Sequence, residues 1–200
     1  MLDQRLQAVA ALVRQGTRVA DIGTDHGFLP AFLVKEKNCP FAIASDIRKG
    51  PLDAARRTVE KEDLSDKISL RLGDGLSSVS PNEIDDIVIA GMGGETIAAI
   101  LESAPWGKDK RYQLILQPMS RAECLHQYLL ENGFEIQTEQ LIQDGKHSYI
   151  VLSAQYTQAA PDFDPFSHWK GGFSSPDGRP YWRLAAAYLT KKANGIRKTD

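Results

Sequence analysis

Five short apolar runs recur between residues 18 and 132, and four of them give way to a segment with helical spacing. This alternation constrains the fold more than any other feature. Buried strands that repeatedly feed helices close into a largely parallel sheet covered by helices. The runs are Arg18 to Gly23, Phe41 to Asp46, Ile68 to Leu72, Asp86 to Ala90 and Gln113 to Gln117. The spacing predicts helices over Phe28 to Lys37, Pro51 to Lys61, about Glu95 to Glu102, and Arg121 to Asn132. Ahead of them, Leu2, Leu6, Val9, Ala10, Leu12 and Val13 predict an amphipathic helix that Gly16 closes. Two last strands, Phe134 to Ile142 and Tyr149 to Ala154, flank Gln143-Asp144-Gly145-Lys146, whose Asp-Gly pair is a hairpin signal.

The pattern predicts an α/β protein with a seven-stranded, mostly parallel sheet and an antiparallel edge strand. Rossmann-like class I methyltransferases are built this way. With 200 residues, 42% of them hydrophobic, the chain has room for one sizeable domain and a small appendage. We expect a catalytic domain over 1–157. Over 158–200 we expect a linker broken by Pro161, Pro165, Pro176 and Pro180, then a C-terminal helical segment from Tyr181, short enough to suggest a reduced or truncated appendage.

A net charge of −2 gives no overall nucleic-acid signature and leaves a local basic surface open. Cys39 and Cys124 support neither a disulfide framework nor a zinc cluster, and His126, His147 and His168 lack metal-ligand spacing. No metal is expected. Asp3, Gln4, Arg5 and Gln7 interrupt the N-terminus, which does not read as a signal peptide, and no stretch is long enough to cross a membrane. The expected location is the cytoplasm. Asp85 and Asp86, being adjacent on a strand, cannot face one site and read as a solvated turn.

Open parallel sheets bind ligands beyond the carboxyl ends of their strands. The first strand ends in Asp21-Ile22-Gly23-Thr24-Asp25-His26-Gly27, where Gly23 and Gly27 allow close backbone approach to a ligand. This is not G-x-G-x-x-G. Asp25 and His26 suit a pyrophosphate poorly, whereas Asp21 or Asp25 can offset a cationic sulfonium ligand with a free amino group. The competing reading is an ordinary strand-to-helix turn with a capping aspartate. Asp46 ends the second strand where such folds place an acid for ribose hydroxyls, and Asp74, between Gly73 and Gly75, ends the third, where it can accept from an adenine amino group. Singly each is a common turn residue; in this order they outline an adenosine site. The expected cofactor is S-adenosyl-L-methionine, held by Asp21, Gly23, Thr24, Asp25, His26, Gly27, Asp46, Ile47, Gly73, Asp74, Gly75, Ala90 and Gly91.

Catalytic residues for methyl transfer usually follow the fourth strand, here Gly91-Met92-Gly93-Gly94, with no Asn/Asp-Pro-Pro-Tyr sequence to hold an amino nitrogen. A ring nitrogen with a free lone pair needs no general base, only in-line positioning, which a glycine loop with free carbonyls could provide. A plain strand-to-helix crossing is the alternative. On the fifth strand Gln117 and Pro118 offer an amide for acceptor or cofactor, and His26 could shuttle a proton.

"LDQRLQAVAALV" at 2–13, "VADIGTDHGFLP" at 19–30, "GDGL" at 73–76, "IVIAGMGG" at 87–94 and "LILQPM" at 114–119 together resemble the TrmK family of bacterial tRNA (adenine-22, N1) methyltransferases. The resemblance covers roughly residues 2–154. It implies that Asp21, Gly23, Asp25, His26, Asp46, Asp74 and Gly91 to Gly94 line the cofactor and reaction site. It further implies tRNA as the partner and N1 of a D-loop adenine as the acceptor, with a helical C-terminal domain helping to hold the tRNA. Here Arg179, Arg183, Lys191, Lys192, Arg197 and Lys198 are the candidate phosphate contacts, unless they form the solvated face of a helix. Two readings stay open beside this one: methylation of another RNA or a small molecule, and a cofactor-binding module without catalysis.

Overall fold

The computed structural model describes residues 2–145, 147–158 and 186. Strands β1 (Val19–Ile22), β2 (Ala42–Asp46), β3 (Ile68–Leu72), β4 (Asp86–Gly93), β5 (Gln113–Ser120), β6 (Phe134–Asp144) and β7 (His147–Tyr156) form one sheet in the order β3-β2-β1-β4-β5-β7-β6. The first five run parallel, while β7 pairs antiparallel with both β5 and β6. The expected hairpin is present. Its reversed member, β7, is inserted inside β6, which holds the outer edge.

Side chains alternate between two cores, one on each face of the sheet. Ile87 and Ile89 of β4, with Leu114 and Leu116 of β5, join the cluster under α4 (Gly94–Glu102) and α5 (Ala122–Glu131). Val88 and Ile115 face the other way, under α1 (Gln4–Leu12), α2 (Phe28–Glu36) and α3 (Lys49–Lys61). Both faces are covered, which is why these strands read as unbroken apolar runs.

Local details differ from the sequence reading in ways that matter for the site. α1 starts at Gln4, later than its apolar spacing from Leu2 suggests, because the Asp3 side chain caps it by accepting from the Leu6 amide at 2.7 Å. It ends at Leu12, not near Gly16, because Val13 turns extended. β4 continues through Gly93, so the glycine segment is the frayed end of a strand and not a free loop. Its pairing with β5 loses register between Ala90 and Met92, leaving Gly91 outside the ladder at φ +83°.

Asp85 and Asp86 are not a solvated turn, although they do face different partners. Asp85 accepts from Arg18 Nη2 at 2.8 Å. Asp86 is fully buried and accepts from the Arg14 backbone at 2.9 Å and its Nε at 2.7 Å. These ion pairs tie the segment after α1 to the start of β4, at the end of the sheet opposite the site. Asp144 and Gly145 lie in the hairpin turn, and Lys146 falls outside the described residues.

Candidate active site

Beyond the carboxyl ends of β1 to β4 lies a cleft of about 750 Å³. Every cofactor contact expected from the sequence lines it: Asp21 to Gly27 except Ile22, then Asp46, Ile47, Gly73 to Gly75, Ala90 and Gly91; Ile22 lines it too. They come together because β1 pairs with β2 and β4, and β2 with β3, in a parallel register that brings successive strand ends to one rim.

Three carboxylates mark that rim, and their settings differ. Asp21 ends within β1, 6% exposed, and among the described residues no basic side chain pairs with it. Burial pushes its carboxyl up to about 6; the Thr24 hydroxyl opposes the rise and the Asp46 charge adds to it. Asp46 is also buried, and its Oδ1 accepts the Arg48 amide at 2.8 Å, leaving Oδ2 for a ligand. Asp74 is exposed, just ahead of a short 3₁₀ turn, Gly75–Ser78. Apolar surface accompanies the acids: Ile47 and Leu72, 61% and 63% exposed, flank the ends of β2 and β3.

Gly23 sits at φ +80°, and a Cβ there would strike the methyl end of Met92. The first and fourth strand ends are therefore in contact. Gly27, which also lines the cleft, has a packing role besides: its missing Cβ makes room for Ala55 of α3, at 3.1 Å. His26 and Asp25 are exposed at the mouth, 3.4 Å apart, and the His26 ring stacks on Phe28 with centroids 5.4 Å apart.

Of the expected catalytic residues, Gly91, Met92 and His26 line the cleft, whereas Gly93, Gly94, Gln117 and Pro118 do not. Gly94 is packed beneath the Arg121 carbonyl. Gln117 is fully buried and already committed: its Oε1 accepts from Arg5 Nη1 at 2.8 Å and from the Gly91 amide at 3.0 Å, and its Nε2 donates to the Pro118 carbonyl at 3.0 Å. It does not offer its amide to a ligand. The cleft also takes Asp3, Arg5, Phe28, Arg48, Thr96 and Met119, none of which the sequence reading singled out. Met119 carried a signal, lying two residues beyond a recognised strand end, whereas Thr96 lies six residues beyond one. Asp3 and Arg5 carried none, since a polar residue at the start of a surface helix ordinarily faces water. No group of three or more possible metal ligands occurs among the described residues. Nor is any described helix long and apolar enough to cross a membrane.

The strand order, the reversed β7 and a cleft rimmed by acids at three successive strand ends define a Rossmann-like class I methyltransferase. A sequence profile described as a methyltransferase domain matches residues 2–152. The tRNA (adenine(22)-N(1))-methyltransferase of Bacillus subtilis is 39% identical over 198 residues, 98% of this chain and 77% of that protein. The chain belongs to the tRNA (adenine(22)-N(1))-methyltransferase family. Among solved structures, Streptococcus pneumoniae Sp1610 in complex with S-adenosyl-L-methionine superposes with a TM-score of 0.84 at 33% identity, covering 100% of this chain and 91% of that one. TrmK of M. capricolum in complex with S-adenosyl-homocysteine gives 0.80 at 28% identity, covering 100% and 87%.

Proposed function

We propose that this chain methylates N1 of adenine 22 in tRNA, with S-adenosyl-L-methionine as donor. The observation that carries the reading is Asp21, a buried carboxylate without a basic partner at the end of β1. Leaving such a group unpaired is costly, and a ligand cation within reach removes the cost. The donor set fits the cofactor in other respects. Asp46 Oδ2 can accept from ribose hydroxyls, Asp74 can accept from the adenine amino group, and Ile47 offers apolar surface to the ring.

When bound, the cofactor supplies a methyl group already activated on a sulfonium. Adenine N1 attacks through its own lone pair, so no side chain has to remove a proton first. What remains for the protein is alignment, worth several orders of magnitude in rate. Gly91 and Met92 sit at the meeting point of the first and fourth strands, where donor and acceptor would converge. His26 and Phe28, stacked and exposed at the mouth, can cover an adenine drawn out of its pairing, since N1 lies on the Watson–Crick edge. In this reading His26 serves the base by stacking and not by transferring a proton.

For tRNA itself, we assign phosphate contacts to Arg179, Arg183, Lys191, Lys192, Arg197 and Lys198, and a separate linker and helical segment to 158–200. All six residues lie outside the described residues. Replacing them together by glutamine is expected to raise the KM for tRNA and flatten its salt dependence, with cofactor affinity unchanged.

The decisive experiment incubates the protein with labelled cofactor and unmodified tRNA, then locates the methyl group by nuclease digestion and mass spectrometry. Label at N1 of adenine 22 is expected. Label on cytosine, guanine or ribose, or none at all, overturns the reading.

A further inference from the structure

We infer that Arg5 is a positioning residue for methyl transfer, acting through the buried Gln117 amide to fix the backbone at Gly91. The inference rests on the methyl-transfer reading of the cleft. Where β4 leaves its register with β5, Gly91 has no place in the ladder, and its N–H loses its strand partner. Gln117 supplies the replacement: Oε1 accepts the Gly91 N–H at 3.0 Å. Gly91 is itself exposed, but this bond lies partly buried and ties the turn to a side chain fixed in the interior, so Gln117 bears on where the turn sits.

Gln117 is oriented in turn from two sides. Its Nε2 donates to the Pro118 carbonyl, and its Oε1 accepts a second, charge-assisted bond from Arg5 Nη1 at 2.8 Å. Arg5 reaches across 112 positions of sequence to do this. Its side chain is only 18% exposed, and its guanidinium lies 3.5 Å from Asp3 and 5.9 Å from the centre of the Tyr149 ring. Because Asp3 caps α1, the cation stands on a fixed first turn. Arg5 thus joins three separate pieces of the fold, α1, β5 and β7, at the one irregular residue of β4. A Cβ on Gly91 would lie 3.8 Å from Arg5 Nη1, so nothing intervenes between the guanidinium and the turn.

This geometry separates two roles for a cation at the cleft. A guanidinium that gripped a tRNA phosphate would contribute to substrate binding. One spent on Gln117 contributes to alignment, and its loss slows the chemical step in substrate already bound. We would measure kcat, the KM for tRNA and the cofactor dissociation constant for the full chain and for Arg5→Met, Gln117→Met and Arg5→Lys. Melting curves of each variant identify any that does not fold.

The expected result is a kcat lowered about 10- to 100-fold in Arg5→Met and Gln117→Met, with KM and cofactor affinity close to the parent values. Arg5→Lys, which keeps a donor for Gln117, recovers most of the rate. Because both residues act on one bond, the Arg5→Met, Gln117→Met double variant is no slower than the slower single one. A raised KM for tRNA with kcat unchanged, additive losses in the double variant, or a lysine variant as slow as the methionine one overturns the proposal. If the parent chain transfers no methyl group, the reading of the reaction fails first and takes this inference with it.

Discussion

Met92 rests its methyl end on Gly23, so that the turn after β1 and the irregular end of β4 share one contact. A Cβ on Gly23 would displace the flexible methyl end of Met92, and the residue sits at φ +80°, where an L side chain is strained whatever the space. Gly23→Ala is therefore expected to weaken cofactor binding by about 10-fold or more and to cost about 1 to 3 kcal/mol of stability. Calorimetric titration and thermal melts check both effects. Gly50→Ala, in the first turn of α3 with open space around it, serves as the control and leaves both unchanged.

Asp21 gives a prediction with an unusual sign. Its carboxyl is raised from 3.8 to about 6 in the folded protein, so the folded state holds the proton more tightly than the unfolded chain does. The stability this proton contributes is complete below about pH 4 and is lost as pH rises through about 6. At pH 7.5 the ligand-free protein accordingly carries a penalty of about 2 to 3 kcal/mol. Asp21→Asn is expected to melt higher than the parent at pH 7.5, to lose that advantage toward pH 4, and to bind no cofactor. A variant that melts lower at pH 7.5 refutes the account.

The same group links binding to protons. A cationic ligand favours ionised Asp21, so cofactor affinity should fall as pH drops below about 6, and binding near pH 6 should release a proton. Titrations in buffers of different ionisation enthalpy measure that release directly; a buffer-independent heat argues that the cofactor amine or sulfonium does not meet Asp21.

The adenosine end should show graded losses. Asp46 is buried and half satisfied by the Arg48 amide, whereas Asp74 is exposed. Asp46→Ala should reduce cofactor affinity about 10- to 100-fold, and Asp74→Ala by less, since a bond made in water returns less free energy. Equal losses would mean that the cofactor closes Asp74 off from solvent more completely than the cleft suggests.

Asp86 tests the opposite end of the sheet. Removing it leaves the Arg14 guanidinium and backbone amide without their shared acceptor. Asp86→Ala is expected to cost about 2 to 3 kcal/mol, just below the range of about 3 to 5 kcal/mol for broken buried pairs, because Arg14 is itself 39% exposed. Cofactor affinity of the folded protein should not change, because Asp86 starts a strand that meets the cleft only at its other end, around Gly91, roughly 16 Å away.

Much of this architecture is written in local sequence. Strands covered on both faces are continuous apolar runs, and each ends in residues that cannot continue it, so the strand ends, and with them the whole rim of the cleft, could be read in order. The readings that failed needed pairing information that local sequence does not carry. Whether Gln117 faces the cleft or the interior depends on its register with Gly91. Asp85 and Asp86 look solvated until α1 brings Arg14 and Arg18 to them. Arg5 lies on a helix whose position over the sheet is set by β5, β6 and β7, the last strands among the described residues.

The placing of β7 between β5 and β6 also has a consequence for how the chain is made. Emerging from the ribosome, β1 to β5 and their helices can assemble the cofactor rim while the outer edge of β5 still lacks a neighbour. That edge stays open until residues near Tyr156 have been synthesised and can return to pair with Gln113 to Leu116. Nascent chains stalled between about residues 120 and 150 would expose the unpaired backbone edge of a mostly apolar strand, the kind of surface that chaperones hold and aggregates recruit.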